Sequence, residues 1–471
     1  MHQLAITLNS CTEIRLDNFI LPLATKRWHF DPESAPFEDD LLERVQLAEK
    51  LTGFVERLHV GSVLAIDAPW GQGKSWFGHN WAAKLKKEDH KVVFINAFEQ
   101  DYIEDPFMLI AAELANLLDD NKGIGGQLRE KAAAVMRALL PLGTKALINV
   151  AGRFALGAMD LSEDLAKMVE AAKDGAVETS EKWVERKLED HEQEKASLEG
   201  YQTALGEFAS KEAKPMVVFI DELDRCNPAF AVRLIERIKH FFEIGNLVFV
   251  LLMNRSQLQS AIKGVYGADT DAAAYLGKFV HLFFRLPNQA ASRFVPNTLL
   301  RYGFDVSNPN TDPTVKKFLG HLCPWVDRAK LSLRDVDRAC ALFALAHDKD
   351  SAGLLAYLIT LKIKQPDLFE SLLVNSVEAD KNCIAWINKF RVAEKSPQLA
   401  SKLRESPNWY FQCLTELHAL RQSYATGSPS IATNLDLEPS SILGEGANRH
   451  RHRAIEMVLR QIDLSLDVSD S

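Results

Sequence analysis

The chain has 471 residues, 47% of them apolar and 25% charged, which excludes a wholly disordered chain and provides length for two or three domain-sized units. A net charge of −9 and a pI near 5.9 exclude a chain-wide electrostatic footprint for nucleic acid, leaving only a local basic surface for such contact. Six cysteines, Cys11, Cys226, Cys323, Cys340, Cys383 and Cys413, lack CxxC spacing, which argues against a zinc site or a disulfide framework and fits a reducing, cytoplasmic compartment.

Residues 1–38 read as an N-terminal segment, and Met1 to Asn9 lacks the charged flank and apolar run of a secretory signal. From Asp39 to Leu58 apolar residues recur at helical spacing, and Gly61 punctuates the end. Ser62 to Ile66 is a short, partly β-branched strand that runs directly into a glycine-bearing loop, Ala68 to Ser75. A second strand follows at Val92 to Ile95, then a periodic helix from Pro106 to Leu118, so 39–118 form the first part of an α/β core.

The pattern then changes over 119–214, read as a helical insertion. Its most apolar stretch, Ala132 to Leu161, is interrupted by Arg137, Lys145 and Arg153, too many charges for a membrane span. Leu161 to Lys214 carries 14 acidic and 8 basic residues, a net of −6, and reads as long solvated helices or a helical hairpin. The core resumes over 215–290 with buried-strand runs at Met216 to Ile220 and Leu247 to Met253, separated by a helix from Pro228 to Phe242. Helical patterns dominate 291–425, and 426–471 read as a loop followed by a last helix near His452 to Ile462. Alternating strands and helices predict a three-layer α/β fold with a mostly parallel sheet.

The chemistry concentrates at two junctions. In the loop, Gly71 and Gly73 let backbone N–H groups approach phosphate oxygens, and the helix that follows favours an anion at its N-terminus. Lys74 is placed to reach β- and γ-phosphates and Ser75 to set its hydroxyl on Mg²⁺. The whole run Ala68, Pro69, Trp70, Gly71, Gln72, Gly73, Lys74, Ser75 and Trp76 is the expected nucleotide-binding stretch, with Trp70 read as a packing residue and Ala68 standing where the pattern opens with glycine. The second junction is the strand Met216 to Ile220 ending in Asp221 and Glu222, at the sheet edge where open α/β sheets bind ligands. There Asp221 would hold Mg²⁺ through water and Glu222 would orient and deprotonate the attacking water; the alternative is a pair of acids at a helix N-terminus. Asn254, closing the next strand, is a candidate γ-phosphate or water contact, or else an ordinary turn asparagine.

Together with these motifs, several separated segments resemble the KAP-family P-loop NTPases, a group within the additional-strand class that includes AAA+ and STAND ATPases. They are Pro69 to Ser75, Phe94 to Phe98, Ile220 to Cys226, Leu252 to Arg255, Tyr275 to Phe279, Phe284 to Pro287 and Leu333 to Arg338, in order, over roughly residues 35–345. The resemblance implies ATP and Mg²⁺ as cofactors, a large insertion between the nucleotide motifs, and catalysis by Lys74, Glu222 and Asn254. Asn254 stands where the family usually has Asp. Arg334 matches a late arginine that senses γ-phosphate in related ATPases, its alternative being a helix-surface residue.

Arg225, Arg255 and Arg285 are candidate fingers for a neighbouring subunit, with an internal salt bridge as the alternative for Arg225. The cluster Arg449, His450, Arg451, His452, Arg453 is a solvated helix face or a partner contact. Bacterial relatives in anti-phage defence supply the biological setting that the resemblance implies, with a protein partner or self-association. A nucleotide-gated scaffold with little turnover and a nucleic-acid-dependent ATPase are the competing functions.

Overall fold

The computed structural model describes residues 34–38, 40–103, 105–117, 130–132, 134–135, 180–287, 291–347, 349–374, 377–391, 407–426, 442–444 and 448–463. Most of the N-terminal segment, most of the insertion before residue 180 and most of the loop expected after residue 426 lie outside them. The described residues divide into two compact units, one within Phe30–Gln289 and the other within Ala290–Ser471.

In the first unit β1 (Ser62–Asp67), β2 (Val92–Asn96), β3 (Met216–Asp221), β4 (Leu247–Met253) and β5 (Leu282–Arg285) pair in the order β2-β3-β4-β1-β5, every pairing parallel. β4 therefore stands between the strand that leads into the glycine loop and the strand that ends in Asp221. That is the additional strand the resemblance implies. Register places Asp67 opposite Met253 and Asp221 opposite both Leu252 and Asn96, so the chemistry-bearing strand ends share one edge.

Side chains alternate between two buried faces, which is why β3 and β4 read as unbroken apolar runs. Leu64, Ile66, Val217, Phe219, Val250 and Leu252 pack with α1 (Val45–Val55) and α2 (Lys74–Lys87). Val63, Ala65, Val218, Ile220, Phe249 and Leu251 pack on the other face with α3 (Pro106–Leu117), the end of α4 (Ser180–Ala209), α5 (Pro228–Ile238) and α6 (Arg255–Tyr266). Three layers result. Trp81 ties the first face together: it is fully buried, stands edge-on to Phe219 with ring centroids 5.2 Å apart, and donates its indole N–H to Thr52 Oγ1 at 3.0 Å. A Cβ on Gly78 would come within 2.1 Å of Leu252 Cδ1, so a larger residue there would have to displace the Leu252 side chain.

Three sequence expectations change. The helix anticipated from Asp39 is α1 alone, preceded by turns with Glu43 at φ 54. α4 is not a solvated helix throughout: Tyr201, Leu205 and Ala209 are fully buried, and Tyr201 donates to the Ala111 carbonyl at 3.2 Å. Charge density along a helix does not report which of its turns meet a neighbour. β5 was not anticipated as a strand, because a short edge strand with Leu282 and Arg285 exposed carries little alternation.

The first unit also holds α7 (Ala272–Leu276), just ahead of β5, and the second holds α8 (Phe294–Arg301), α9 (Pro313–Arg328), α10 (Leu333–Leu345), α11 (Ala352–Lys364), α12 (Pro366–Leu373), α13 (Val377–Asn388), α14 (Pro407–Ala425) and α15 (Ala454–Asp463). α11 is its axis, buried without a break from Ala352 to Leu361. Trp325 stacks on Trp386 at 5.1 Å and donates its indole N–H to Tyr410 Oη at 3.0 Å. A buried polar chain joins three helices: Tyr357 Oη lies 2.7 Å from His418 Nε2, His418 Nδ1 lies 2.6 Å from Asp380 Oδ1, and Arg421 Nη1 donates to both Asp380 oxygens at 3.0 and 3.1 Å.

Candidate functional site

The glycine loop leaves β1 at Asp67 and enters α2 at Lys74. Gly71 and Gly73 have φ of 76° and 77°, left-handed values that a side chain would oppose. Ala68 is not among the positive-φ residues; its methyl is buried with Phe77 and Ile66, and its N–H donates to the Met253 carbonyl at 3.2 Å. The turn therefore has no conformational need for glycine at its first position.

Lys74 is almost fully buried, and its Nζ donates to the loop's own carbonyls, Ala68 O at 2.8 Å and Pro69 O at 3.4 Å. Burial lowers its pKa, while the charges of Asp224, Asp221 and Asp67 push it back up. Asp221 is also buried. Its carboxyl is pushed up to about 6 by burial, against the opposing pull of the Ser75 hydroxyl, which donates to it, and of the Glu222 N–H at 2.8 Å. Ser75 and Asp221, the two expected metal holders, are thus in direct contact.

Glu222 has φ 58, a left-handed conformation that costs a non-glycine residue about 1 kcal/mol. Its side chain is paired with Arg225, whose Nη1 lies 2.9 Å from Oε1. Arg225 is therefore in the internal salt bridge that the sequence left open. Asn254 stands at the N-cap position of α6 without a side-chain bond to the helix backbone; it is buried, its Oδ1 accepts from Ser256 Oγ at 2.8 Å, and its N–H donates to Asp224 Oδ2 at 3.2 Å.

Trp70 does not pack as expected. It is 44% exposed, and its indole N–H donates to Asp224 Oδ2 at 2.5 Å. Trp76 instead is the packing aromatic, edge-on to Phe37 at 5.6 Å. Pro69 is exposed and Gln72 buried. Arg255 stacks over the Phe283 ring at 4.3 Å, and Arg285 lies exposed at the end of β5. Arg334 is the second residue of α10, in the other unit, behind a Ser332–Asp335 capping box.

Sequence reading missed Asp224 as the hub of this edge, its side chain 2% exposed and 4.0 Å from Lys74 Nζ. It also missed Arg44, just before α1, whose guanidinium donates to Gln72 O at 2.7 Å and Gly73 O at 3.2 Å. Nothing local marked Arg44, because its partners lie 28 and 29 residues away.

The edge thus gathers a buried ammonium, buried carboxylates, a hydroxyl and a glycine loop opening a helix. That arrangement suits a polyphosphate. Ser75 with Asp221 suits Mg²⁺, which takes hard oxygen ligands and keeps water and substrate phosphates for the rest of its shell; no group of three or more His, Cys, Asp or Glu that could hold a metal occurs among the described residues.

A family model, described as the KAP family P-loop domain, matches residues 44–349. Among solved structures, the chain is similar to the ORC2 protein of Aeropyrum pernix in its ADPNP-ADP complexes, with 11% identity, a TM-score of 0.34, and 92% of this chain and 98% of that one covered. It is similar also to Cdc6p from Pyrobaculum aerophilum, at 12% identity and TM-score 0.36, covering 91% and 97%. No curated protein matches. Among the described residues no helix is long and apolar enough to cross a membrane.

Proposed function

The chain belongs to the KAP family of P-loop domains, and from that premise we propose that it binds ATP with Mg²⁺ at the loop Ala68 to Trp76 and hydrolyses it, using the cycle as a conformational switch. The observation that carries the reading is the convergence of Lys74, Ser75, Asp221 and Asp224 on one buried edge, with Lys74 held on its own loop. A buried ammonium beside carboxylates is exchangeable: a triphosphate offers it more negative charge than Asp224 alone.

In the proposed reaction, water attacks the γ-phosphorus, the bond to the β–γ bridging oxygen breaks, and ADP leaves with that electron pair. Glu222 takes the water's proton; Arg225 engages Oε1, leaving Oε2 for this work. Lys74 and the loop N–H groups stabilise charge on the β- and γ-oxygens. Mg²⁺, held by Ser75 and by Asp221 through water, would neutralise charge on the same oxygens. Asn254 would orient the water or the γ-phosphate, and Arg334 would sense the nucleotide.

The division into a core split by an insertion at 119–214, with a helical region over 291–425 that reports nucleotide state, belongs to the same proposal. So do a cytoplasmic setting and a protein partner or second copy. Anti-phage defence rests on family resemblance alone. Phage plating on cells with and without the gene tests it. Nucleic acid has no support from net charge, and phosphate release unaltered by added DNA or RNA removes it.

A second reading, a nucleotide-gated scaffold with little turnover, is favoured by the Glu222–Arg225 pair. Phosphate release by wild type, Lys74→Ala and Glu222→Gln at saturating Mg-ATP separates the two. Release by wild type no faster than by Lys74→Ala sinks the enzyme; nucleotide binding that survives in wild type but not in Lys74→Ala keeps the scaffold.

A further inference from the structure

Arg44 is 3% exposed and stands just before α1, far in sequence from the loop it touches. Its two terminal nitrogens reach two successive carbonyls, Nη2 to Gln72 O at 2.7 Å and Nη1 to Gly73 O at 3.2 Å. Those carbonyls belong to the peptide planes that carry the N–H groups of Gly73 and Lys74. A trans peptide points its C=O and N–H in opposite directions, and there are no cis bonds among the described residues. Fixing both carbonyls on one side therefore aims both N–H groups to the other.

None of the N–H groups of residues 71–75 donates to a described residue. The loop thus holds a row of uncommitted donors whose direction is set from behind. Gly73 most needs such support, because its left-handed backbone is a conformation in which a glycine is free to rotate away. Burying a cation is costly unless it is paired and hydrogen-bonded. Arg44 Nε has no partner among the described residues, and burial pulls its pKa down to about 10, with Asp40 opposing. A group buried at such cost, with its hydrogen bonds spent on the phosphate loop, is more than filler.

We infer that Arg44 is a positioning residue for nucleotide binding, whose guanidinium clamps the Gln72 and Gly73 carbonyls and so preorganises the Gly73 and Lys74 N–H groups for phosphate. The inference rests on the proposed nucleotide site. It deepens that reading by naming a residue outside the loop that sets the loop's donors. A lysine cannot replace the clamp, since its single ammonium lacks the planar fork that spans two carbonyls.

The test uses the full chain and measures ADP affinity by calorimetry, with thermal melting, for wild type, Lys74→Ala, Arg44→Lys and Arg44→Gln. The expected result is a loss of about tenfold in ADP affinity for Arg44→Lys, measured well below its melting midpoint, and at least as much for Arg44→Gln. Absence of ADP binding by wild type overturns the site itself. Wild-type binding abolished in Lys74→Ala but intact in Arg44→Lys and Arg44→Gln overturns the clamp and leaves the site standing. Lowered melting with unchanged affinity of the folded protein also overturns it, reducing Arg44 to a structural role.

Discussion

Each unit buries a cluster of ionisable side chains, and the two clusters are built on opposite terms. In the helical unit, Asp380 is saturated: Arg421 engages both oxygens, His418 one of them, and His418's other nitrogen meets Tyr357. In the α/β unit, Asp67, Asp221 and Asp224 crowd a single Lys74, whose hydrogen bonds go to its own loop. The first cluster is complete without a ligand, and the second is the one that the proposed nucleotide would complete. Buried charge that is fully hydrogen-bonded specifies structure, whereas buried charge left crowded is kept for chemistry.

The sharpest way to break this contrast is to remove the acid beside the crowded cluster, Glu222, and the acid at the centre of the saturated one, Asp380. Glu222→Gln should slow phosphate release about 10³-fold while retaining nucleotide binding, the loss typical of a missing general base. Its melting should move little, because the Arg225 pair that it loses is partly solvated and worth at most about 1 kcal/mol. Asp380→Ala should do the reverse, destabilising the helical unit by about 3 kcal/mol, since it strands a buried guanidinium and a buried imidazole. Denaturant titration reads both. Equal stability losses for the two variants would erase the distinction.

A smaller effect separates crowded from saturated acids by pH. Asp221 has a folded pKa near 6, raised above its unfolded value, so the stability it contributes is present at low pH and is lost as pH rises through 6. Asp221→Asn removes that dependence. Relative to wild type, the variant without nucleotide should gain roughly 1.5 kcal/mol between pH 5 and 7.5, although its Mg-dependent turnover falls. Taking the difference matters. His79, half-buried and lowered to about 4 mainly by desolvation, loses stability as pH falls through 6.5 and would mask the trend in wild type alone.

Much of this arrangement was legible in the sequence, for identifiable reasons. β3 and β4 announced themselves because both of their faces are buried, and Gly73, Lys74, Ser75 and Asp221 because one local pattern encodes each junction. Arg44 and the Asp224 hub were illegible, since their meaning comes from partners 28 to 154 residues away. Trp70 was misread because an indole within a loop gives no sign of which acid will accept its N–H. The buried chain from Tyr357 to Arg421 had no pattern at all, because its members sit on three helices and meet only in the folded unit.

That chain offers the finest test of the contrast. Tyr357→Phe keeps the ring that packs beside Trp325 and removes only the hydroxyl, which meets His418 Nε2 and the Cys383 thiol, so it should cost about 1 kcal/mol. If the network is closed, the loss must couple to Asp380. With Asp380 already replaced by Ala, His418 is free to reorient, and deleting the tyrosine hydroxyl should then cost less than it does in wild type. A double-mutant cycle by denaturant titration measures this, with a coupling of at least about 0.5 kcal/mol expected for groups joined through one imidazole. Strict additivity would mean that Tyr357 merely neighbours the acid, and that the helical unit's ionisable groups are pairs, not a network.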